Sequence, residues 1–438
     1  VPTADPPIDN GWSTDRHLET ATVAMTTMTD SPVAPAQASP AALADVIGRI
    51  APVRRADRHD GPANRYVLHT LTNAPRLVRE GDVGALIGLA AGVPAVIAAA
   101  GPSLDANVVD LARVRDRALL IACDTAAQPL VWHGLEPDLI VATDSSHVNA
   151  RHLSSIGSTR SWLVGEGSLH PSAFTHFHRR TFAFKVASHQ PWPWLESVGL
   201  ARATLETWGS VVTSALSLAL IMGCDPIAFV GADFAFTGGR PYCRGTAIES
   251  QWSTWIADGS TYEAIWQAAV DRWPAVTATD ISGRPVRTAA HLMAFRDWTV
   301  ERVAAHRSRR FVNATGAGLL HGPGIEHAGL PVLLADAAPV ETEALTARLQ
   351  RAHHASSGDL GRLLDGVSAV LADPAHEARG QWRSFAGSTL TDTAVDVALR
   401  SPDHEAWTIG RALALTKLEV RSQKWVLAPD FWLLASNF

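Results

Sequence analysis

Five residues in a row, Gly101-Pro102-Ser103-Leu104-Asp105, follow an apolar run (VPAVIAAA, 93–100) and open an amphipathic segment. A glycine lets backbone approach a ligand closely. A helix start offers unpaired N–H groups and a positive dipole end, which suits a phosphate. The Ser103 hydroxyl adds a further donor. The same residues also make an ordinary helix start, with Ser103 as N-cap and Asp105 in the first turn. Three further apolar runs each end in a carboxylate: Asp124, Asp144 and Asp233. Carboxylates at one rim of a parallel sheet are placed to hold ribose hydroxyls or to polarise an attacking hydroxyl. Read locally, Asp124-Thr125 is also a helix cap, and Asp144-Ser145-Ser146 a turn.

A late apolar run leads into Asn313-Ala314-Thr315-Gly316-Ala317-Gly318. The spacing departs from a dinucleotide fingerprint and lies far from the first strand. It reads as a tight turn that brings backbone to a ligand. No GK[ST] occurs, so there is no Walker loop, and no Asp-x-Asp pair or HExxH offers a metal site. His170, His176 and His178 cluster in sequence without a carboxylate partner and read as surface or core residues. Of the 15 tryptophans, Trp192 and Trp194 sit in QPWPW, and Trp252 and Trp255 in a segment that reads as a loop. Aromatics stack on sugar faces, but more often they anchor cores and loops.

These residues need a scaffold that brings strand ends together. Apolar runs at 93–100, 117–124, 137–144, 162–165, 181–187, 226–234 and 310–314 read as strands. Between them, 105–114, 125–133 and 209–223 read as helices. Such runs, apolar throughout, are the mark of parallel strands covered on both faces. The expected fold is α/β, a doubly wound, mostly parallel, Rossmann-like sheet over 93–330. Before it, 1–40 read as a mobile tail and 41–92 as a helical segment (41–54, 65–79 and 83–91). After it, 335–438 read as a helical domain, with helices at 341–354, 360–371, near Val395 and at 407–420. The chain has 438 residues, 47% hydrophobic and 18% charged, ample for a large core. Its net charge of −6, with only three lysines among 37 basic residues, offers no broad basic field for nucleic acid. Residues 83–104 carry no charge, but the stretch is broken by glycine and proline and rich in alanine, a poor bilayer helix. No membrane span and no signal peptide is expected. Cys123, Cys224 and Cys243 are too few and too scattered for a disulfide framework, which fits a cytoplasmic protein.

Taken together, the motifs resemble the family that unites the flagellar motility accessory factors with 6-hydroxymethylpterin diphosphokinase-like proteins. The resemblance rests on AAGPSLD (99–105), ACDTA (122–126), GLEPDLIVATD (134–144), Gly209-Ser210-Val211, GCDPIAFVGADFAF (223–236), GRPVRT (283–288) and NATGAG (313–318). It implies a central domain similar to that of bacterial CMP-sialyltransferases, and transfer of a nonulosonic acid from its CMP form to flagellin Ser/Thr. No further cofactor is then required. By that resemblance Gly101, Pro102 and Ser103 meet the CMP phosphate, and Asp124, Thr125, Asp144 and Ser210 line the nucleotide or sugar cleft. Thr288, Thr315 and Gly316 close the nucleotide side, and Asp233 lies near the transferred sugar. The sialyltransferases read Asn-Gly-Pro-Ser where this chain has Ala100, and carry a histidine shortly before the position of Thr288, where this chain has none. Asp233, His147 and His291 are therefore the candidates for the general base. The pyrophosphokinase branch transfers pyrophosphate from ATP to a pterin alcohol and carries Thr-Asp-Leu-Asp after its third strand. This chain reads Thr143-Asp144-Ser145-Ser146, with no second acid. A third possibility is a non-catalytic nucleotide- or protein-binding module that keeps the cleft.

Overall fold

A computed structural model describes residues 62–401, except 158, 258, 356, 357 and 388. The tail at 1–40 and the helices expected at 41–54 and 407–420 lie outside the described residues.

Nine strands form one sheet: β1 (Gly81–Asp82), β2 (Ala95–Ala98), β3 (Leu119–Cys123), β4 (Leu139–Ala142), β5 (Trp162–Glu166), β6 (Thr181–Phe184), β7 (Ile227–Val230), β10 (Phe311–Asn313) and β11 (Ile325–His327). Their order is β1-β6-β5-β4-β3-β2-β7-β10-β11, and every neighbouring pair is parallel. Two short strands, β8 (Val276–Thr279) and β9 (Pro285–Thr288), form a separate antiparallel hairpin. The expected α/β doubly wound sheet is therefore what the chain folds into. Every strand foreseen in the sequence forms. The structure adds β1, β11 and the hairpin, which are too short or too polar to leave an apolar signature.

Burial on both faces explains the continuous apolar runs. Along β2, Val96 and Ala98 pack into one core while Ala95 and Ile97 pack into the other. The first core is covered by α1 (Pro62–Leu77), α2 (Leu104–Arg113), α3 (Asp124–Trp132) and α4 (His147–Ser154). The second is covered by α5 (Val211–Met222) and α6 (Ala290–Ala305). α5 is apolar nearly all round and ends at Gly223, in the left-handed conformation at φ 86°. From β2 the chain winds outward through β3, β4 and β5 to β6, which lies beside the earlier edge strand β1, and returns through α5 to β7 on the other side of β2. The direction of winding thus reverses between β2 and β7.

Among the described residues, the helices beyond residue 341 are α7 (Thr342–His354), α8 (Leu360–Ala372), α9 (Glu377–Ala386) and α10 (Asp392–Leu399). They share their cores with the sheet: Leu363, Val367, Trp382 and Val395 with the first, Leu345 and Leu349 with the second. Trp192 and Trp194 are core residues, and all three cysteines are buried and free. No helix among the described residues is long and apolar enough to cross a membrane.

One polar knot ties α7 to the β1 edge. Glu80, 2% exposed, accepts from the backbone N–H groups of Arg179 (3.1 Å) and Thr181 (3.2 Å) and meets His353 Nε2 at 2.8 Å. Removing a buried carboxylate strands three donors at once. Glu80→Ala is expected to cost about 3–5 kcal/mol of stability, and His353→Leu about 1–3 kcal/mol. Urea unfolding measures both; a Glu80→Ala loss under about 1 kcal/mol would show that water replaces the carboxylate.

Candidate active site

Parallel strands in the order β4-β3-β2-β7 bring their carboxyl ends to one rim. Asp144, Asp124, Gly101 and Asp233 follow these four strands in turn. At about 4.8 Å between strands, β4 and β7 stand roughly 14 Å apart. The reversal point between β2 and β7 is where open α/β sheets bind their ligands, and Gly101 and Asp233 lie on either side of it.

The contact there is very close. Gly101 N–H donates to the Gly231 carbonyl at 2.8 Å. A methyl group on Gly101 would overlap both that carbonyl oxygen and the Asp233 carboxylate, so only glycine fits. Ser103 does not cap α2 with its side chain. Its hydroxyl donates instead to Asp233 Oδ1 at 2.6 Å, and its N–H reaches Oδ2 at 3.3 Å. The Asp233 carboxylate, 1% exposed, is thus itself the anion at the amino end of α2. Burial, partly offset by the Ser103 bonds, raises its pKa above the usual carboxylate range.

The backbone around Asp233 is equally constrained. Its carbonyl accepts from Leu319 N–H at 2.8 Å, and Gly318, at φ 78°, passes so close that a side chain there would strike the Asp233 backbone. Phe234 holds a left-handed conformation at φ 50°, a costly one for a non-glycine residue. Thr288, fully buried, donates to the Phe234 carbonyl at 2.8 Å and so anchors the β8–β9 hairpin to this turn. Thr315 Oγ1 accepts from Ala232 N–H at 3.2 Å. Gly316, at φ 77°, faces open space. Asn107 links the three loops, accepting from Gly231 N–H at 3.0 Å and donating to the carbonyls of Ala314 (3.3 Å) and Thr315 (3.0 Å). The structure therefore gathers Gly101, Pro102, Ser103, Asp233, Thr288, Thr315 and Gly316 around one point.

Asp124 lies one strand away, 3% exposed, as the first residue of α3. Its Oδ1 accepts from the Thr125 N–H (2.7 Å) and hydroxyl (3.2 Å). Its other oxygen has no hydrogen-bond partner among the described residues and is not sealed from solvent. Burial first, and also the charge of Asp144, push Asp124 up to about 7 against the opposing Thr125 bonds. Asp144 Oδ1 accepts from Ser146 N–H at 2.7 Å in a tight turn. Tyr242, in the loop after β7, lies near enough to feel the charges of this pair. The residue is 37% exposed; burial, then the charges of Asp124 and Asp144, raise its phenol above the ordinary range. The loop is strapped down by an Arg240–Asp105 ion pair, by Arg244 N–H to Asp105 (2.9 Å) and by Cys243 N–H to the Ala100 carbonyl (2.9 Å). A further carboxylate, Glu166, ends β5 on the same rim, and burial pushes it up to about 7.

The three residues proposed as bases do not meet. His147 is exposed at the start of α4, its ring 4.9 Å from that of His170. His291, in the first turn of α6, packs tilted against Trp273 with ring centroids 4.4 Å apart and lies near Phe295 at 5.8 Å; burial lowers it to about 4. Ser210 precedes α5, its carbonyl held by the Thr213 hydroxyl at 2.6 Å. Neither histidine nor Ser210 shares a hydrogen bond with Asp233 or Asp124 among the described residues. Sequence reasoning missed Tyr242, Asn107 and Glu166. Of these only Glu166 left a signal, an acid at the end of an apolar run.

Two hollows lie elsewhere. One, of about 580 Å³, is lined by Gln190 and residues of α9. The other, of about 520 Å³, lies at the amino ends of the strands, lined by Pro94, Pro226, Arg310 and Arg348. Neither gathers strand-end carboxylates.

The crowding at the reversal point is testable. Gly101→Ala is expected to cost about 1–3 kcal/mol through overpacking. Ser103→Ala is expected to cost about 1–3 kcal/mol by leaving a buried carboxylate short of a donor. Denaturant titration checks both, and an unchanged midpoint for Gly101→Ala would mean that the loops readily separate.

Comparisons with known proteins cover this region. No curated protein matches the chain in sequence. A solved structure described as MAf glycosyltransferase from Magnetospirillum magneticum AMB-1 is similar over 78% of this chain, at 16% identity and a TM-score of 0.49. The chain spans 50% of that protein's length. Residues 68–239 match the family described as 6-hydroxymethylpterin diphosphokinase MptE-like. The matched segment runs from within α1 to just beyond β7 and includes Gly101, Ser103, Asp124, Asp144 and Asp233.

Proposed function

We propose that this protein is a glycosyltransferase of the motility accessory factor type. It moves a nonulosonic acid from a CMP donor to a protein hydroxyl, with flagellin Ser/Thr as the acceptor, in the cytoplasm. One observation carries the choice between the two branches the sequence resembles. Asp144 stands alone beyond β4, followed by Ser145 and Ser146, and one of its oxygens is already committed to Ser146 N–H. Pyrophosphoryl transfer relies on cations to neutralise charge on the transferred group. A CMP-activated sugar already carries its leaving group, and positioned donors serve its departure.

On this reading the nucleotide lies across the reversal point between β2 and β7. Its phosphate lies against the Gly101–Ser103 loop on the open side of Gly316, with Thr288 and Thr315 fixing that side. Asp233 holds the loop in shape through Ser103. Asp124, Thr125 and Asp144 face the sugar and the incoming hydroxyl, and no cofactor beyond the donor takes part. The second reading, pyrophosphoryl transfer from ATP to a pterin alcohol, draws on the match of residues 68–239 to a family bearing that name.

A nucleotide panel separates the two. Ligand at a hundredfold excess over Kd stabilises by about 2.7 kcal/mol, which a thermal melt resolves. CMP is expected to raise Tm more than ATP, and CMP release from CMP-N-acetylneuraminate, used as a probe donor, is expected to persist in EDTA. A preference for ATP with magnesium would favour the pyrophosphokinase reading. Binding of CMP without turnover would favour a non-catalytic module.

A further inference from the structure

The rim carries four carboxylates, and they are not equivalent. Both oxygens of Asp233 are engaged by Ser103, and its backbone is clamped by Leu319 and Gly318. Glu166 accepts from Ser168 N–H at 2.6 Å, its Oε1 is sealed from solvent, and it stands at the end of β5, three strands from β2. Asp144 is half-buried in its turn. Asp124 alone combines a buried position next to the reversal point, one oxygen fixed by Thr125 and a second oxygen with no hydrogen-bond partner among the described residues.

We propose that Asp124 is the catalytic residue that accepts the proton of the incoming hydroxyl, and that Asp144, following the neighbouring strand β4, is a positioning residue beside it. The assignment rests on the transfer reading above and replaces Asp233, His147 and His291 in the role of base. The step balances. The acceptor O–H bond breaks and its proton moves to the Asp124 oxygen that Thr125 does not hold. The freed electron pair forms the bond to the anomeric carbon of the sugar. The bond from that carbon to the phosphate oxygen breaks, and CMP leaves with its electrons.

The surroundings suit the role. The titratable groups facing Asp124 are Asp144 from the β4 loop, Tyr242 from the loop after β7 and its own neighbour Cys123. No Lys, Arg or His pairs with it among the described residues. Nothing nearby holds it permanently charged, and it titrates at about 7, where a general base works best. Thr125 fixes the direction of the carboxylate, so the free oxygen keeps one aim.

The test is CMP release from CMP-N-acetylneuraminate, with water as acceptor, followed against pH. A base works when deprotonated, so the wild-type rate is expected to rise with pH through about 7. Asp124→Asn is expected to lower kcat by about 10²–10⁴-fold above about pH 7 and to lose the pH dependence, the gap to wild type closing at acid pH, while CMP still raises Tm. Asp144→Asn removes a charge that holds the Asp124 pKa up, so its acid limb is expected to move to lower pH. A merely structural role for Asp144 would not move that limb. Stability gives a readout without donor. A folded pKa above the unfolded value means that the buried carboxylate costs stability as pH rises from about 4 to about 7. Asp124→Asn is therefore expected to lose less stability than wild type over that range. A wild type that releases no CMP defeats the transfer reading itself. A wild type that turns over while Asp124→Asn keeps its rate, or an Asp144→Asn limb that stays in place, overturns this assignment and leaves the transfer reading standing.

Discussion

The approach of two loops where the winding of the sheet reverses governs this site. Gly101 N–H bonds the Gly231 carbonyl, and Asp233 then has no room except over Ser103. Each neighbouring feature answers that contact. Phe234 is forced to a positive φ, Thr288 secures its carbonyl, and Gly318 passes where a side chain could not. Asn107 stitches the ends of β2, β7 and β10 into one floor. Strain of this kind persists only where the surroundings over-determine it, and it concentrates at functional sites.

A second property follows from the first. The floor is built from carbonyls, glycines and buried carboxylates, with its cations held at the margin. Arg240 is spent on Asp105, and Arg244 lies with it over the Trp266 ring. The acids nearest the reversal point are therefore buried without a counter-charge. Burial raises Asp124 and Asp233, although Ser103 restrains the second. One carboxylate becomes part of the framework and the other keeps a free oxygen. Environment, rather than residue type, separates two acids that look alike in the sequence.

The fold was legible because its strands are buried on both faces, so β2, β3, β4 and β7 read as continuous apolar runs. The acids ending three of those runs pointed to the rim, since parallel strands must place their carboxyl ends together. The division of labour among them was not legible. Whether Ser103 caps its helix or bonds Asp233 depends on a partner 130 residues away. Tyr242 lies in a Gly- and Pro-rich loop whose path is fixed by Arg240, Cys243 and Arg244, and nothing in its local sequence marks it. His147 and His291 were attractive by residue type alone. Their places depend on α4 and on the tilted Trp273 contact, which put them outside the hydrogen-bonded floor. Glu166 escaped notice because the sequence reading stopped its strand one residue short.

The account stands on the reversal-point rim being where nucleotide binds. Hydrogen–deuterium exchange with and without saturating CMP tests this most directly. The account predicts slower exchange in segments 99–105, 231–236 and 313–318, with the β8–β9 hairpin following through Thr288. Protection confined to the opposite hollow, around Pro94, Pro226 and Arg348, would contradict it and place the ligand at the amino ends of the strands.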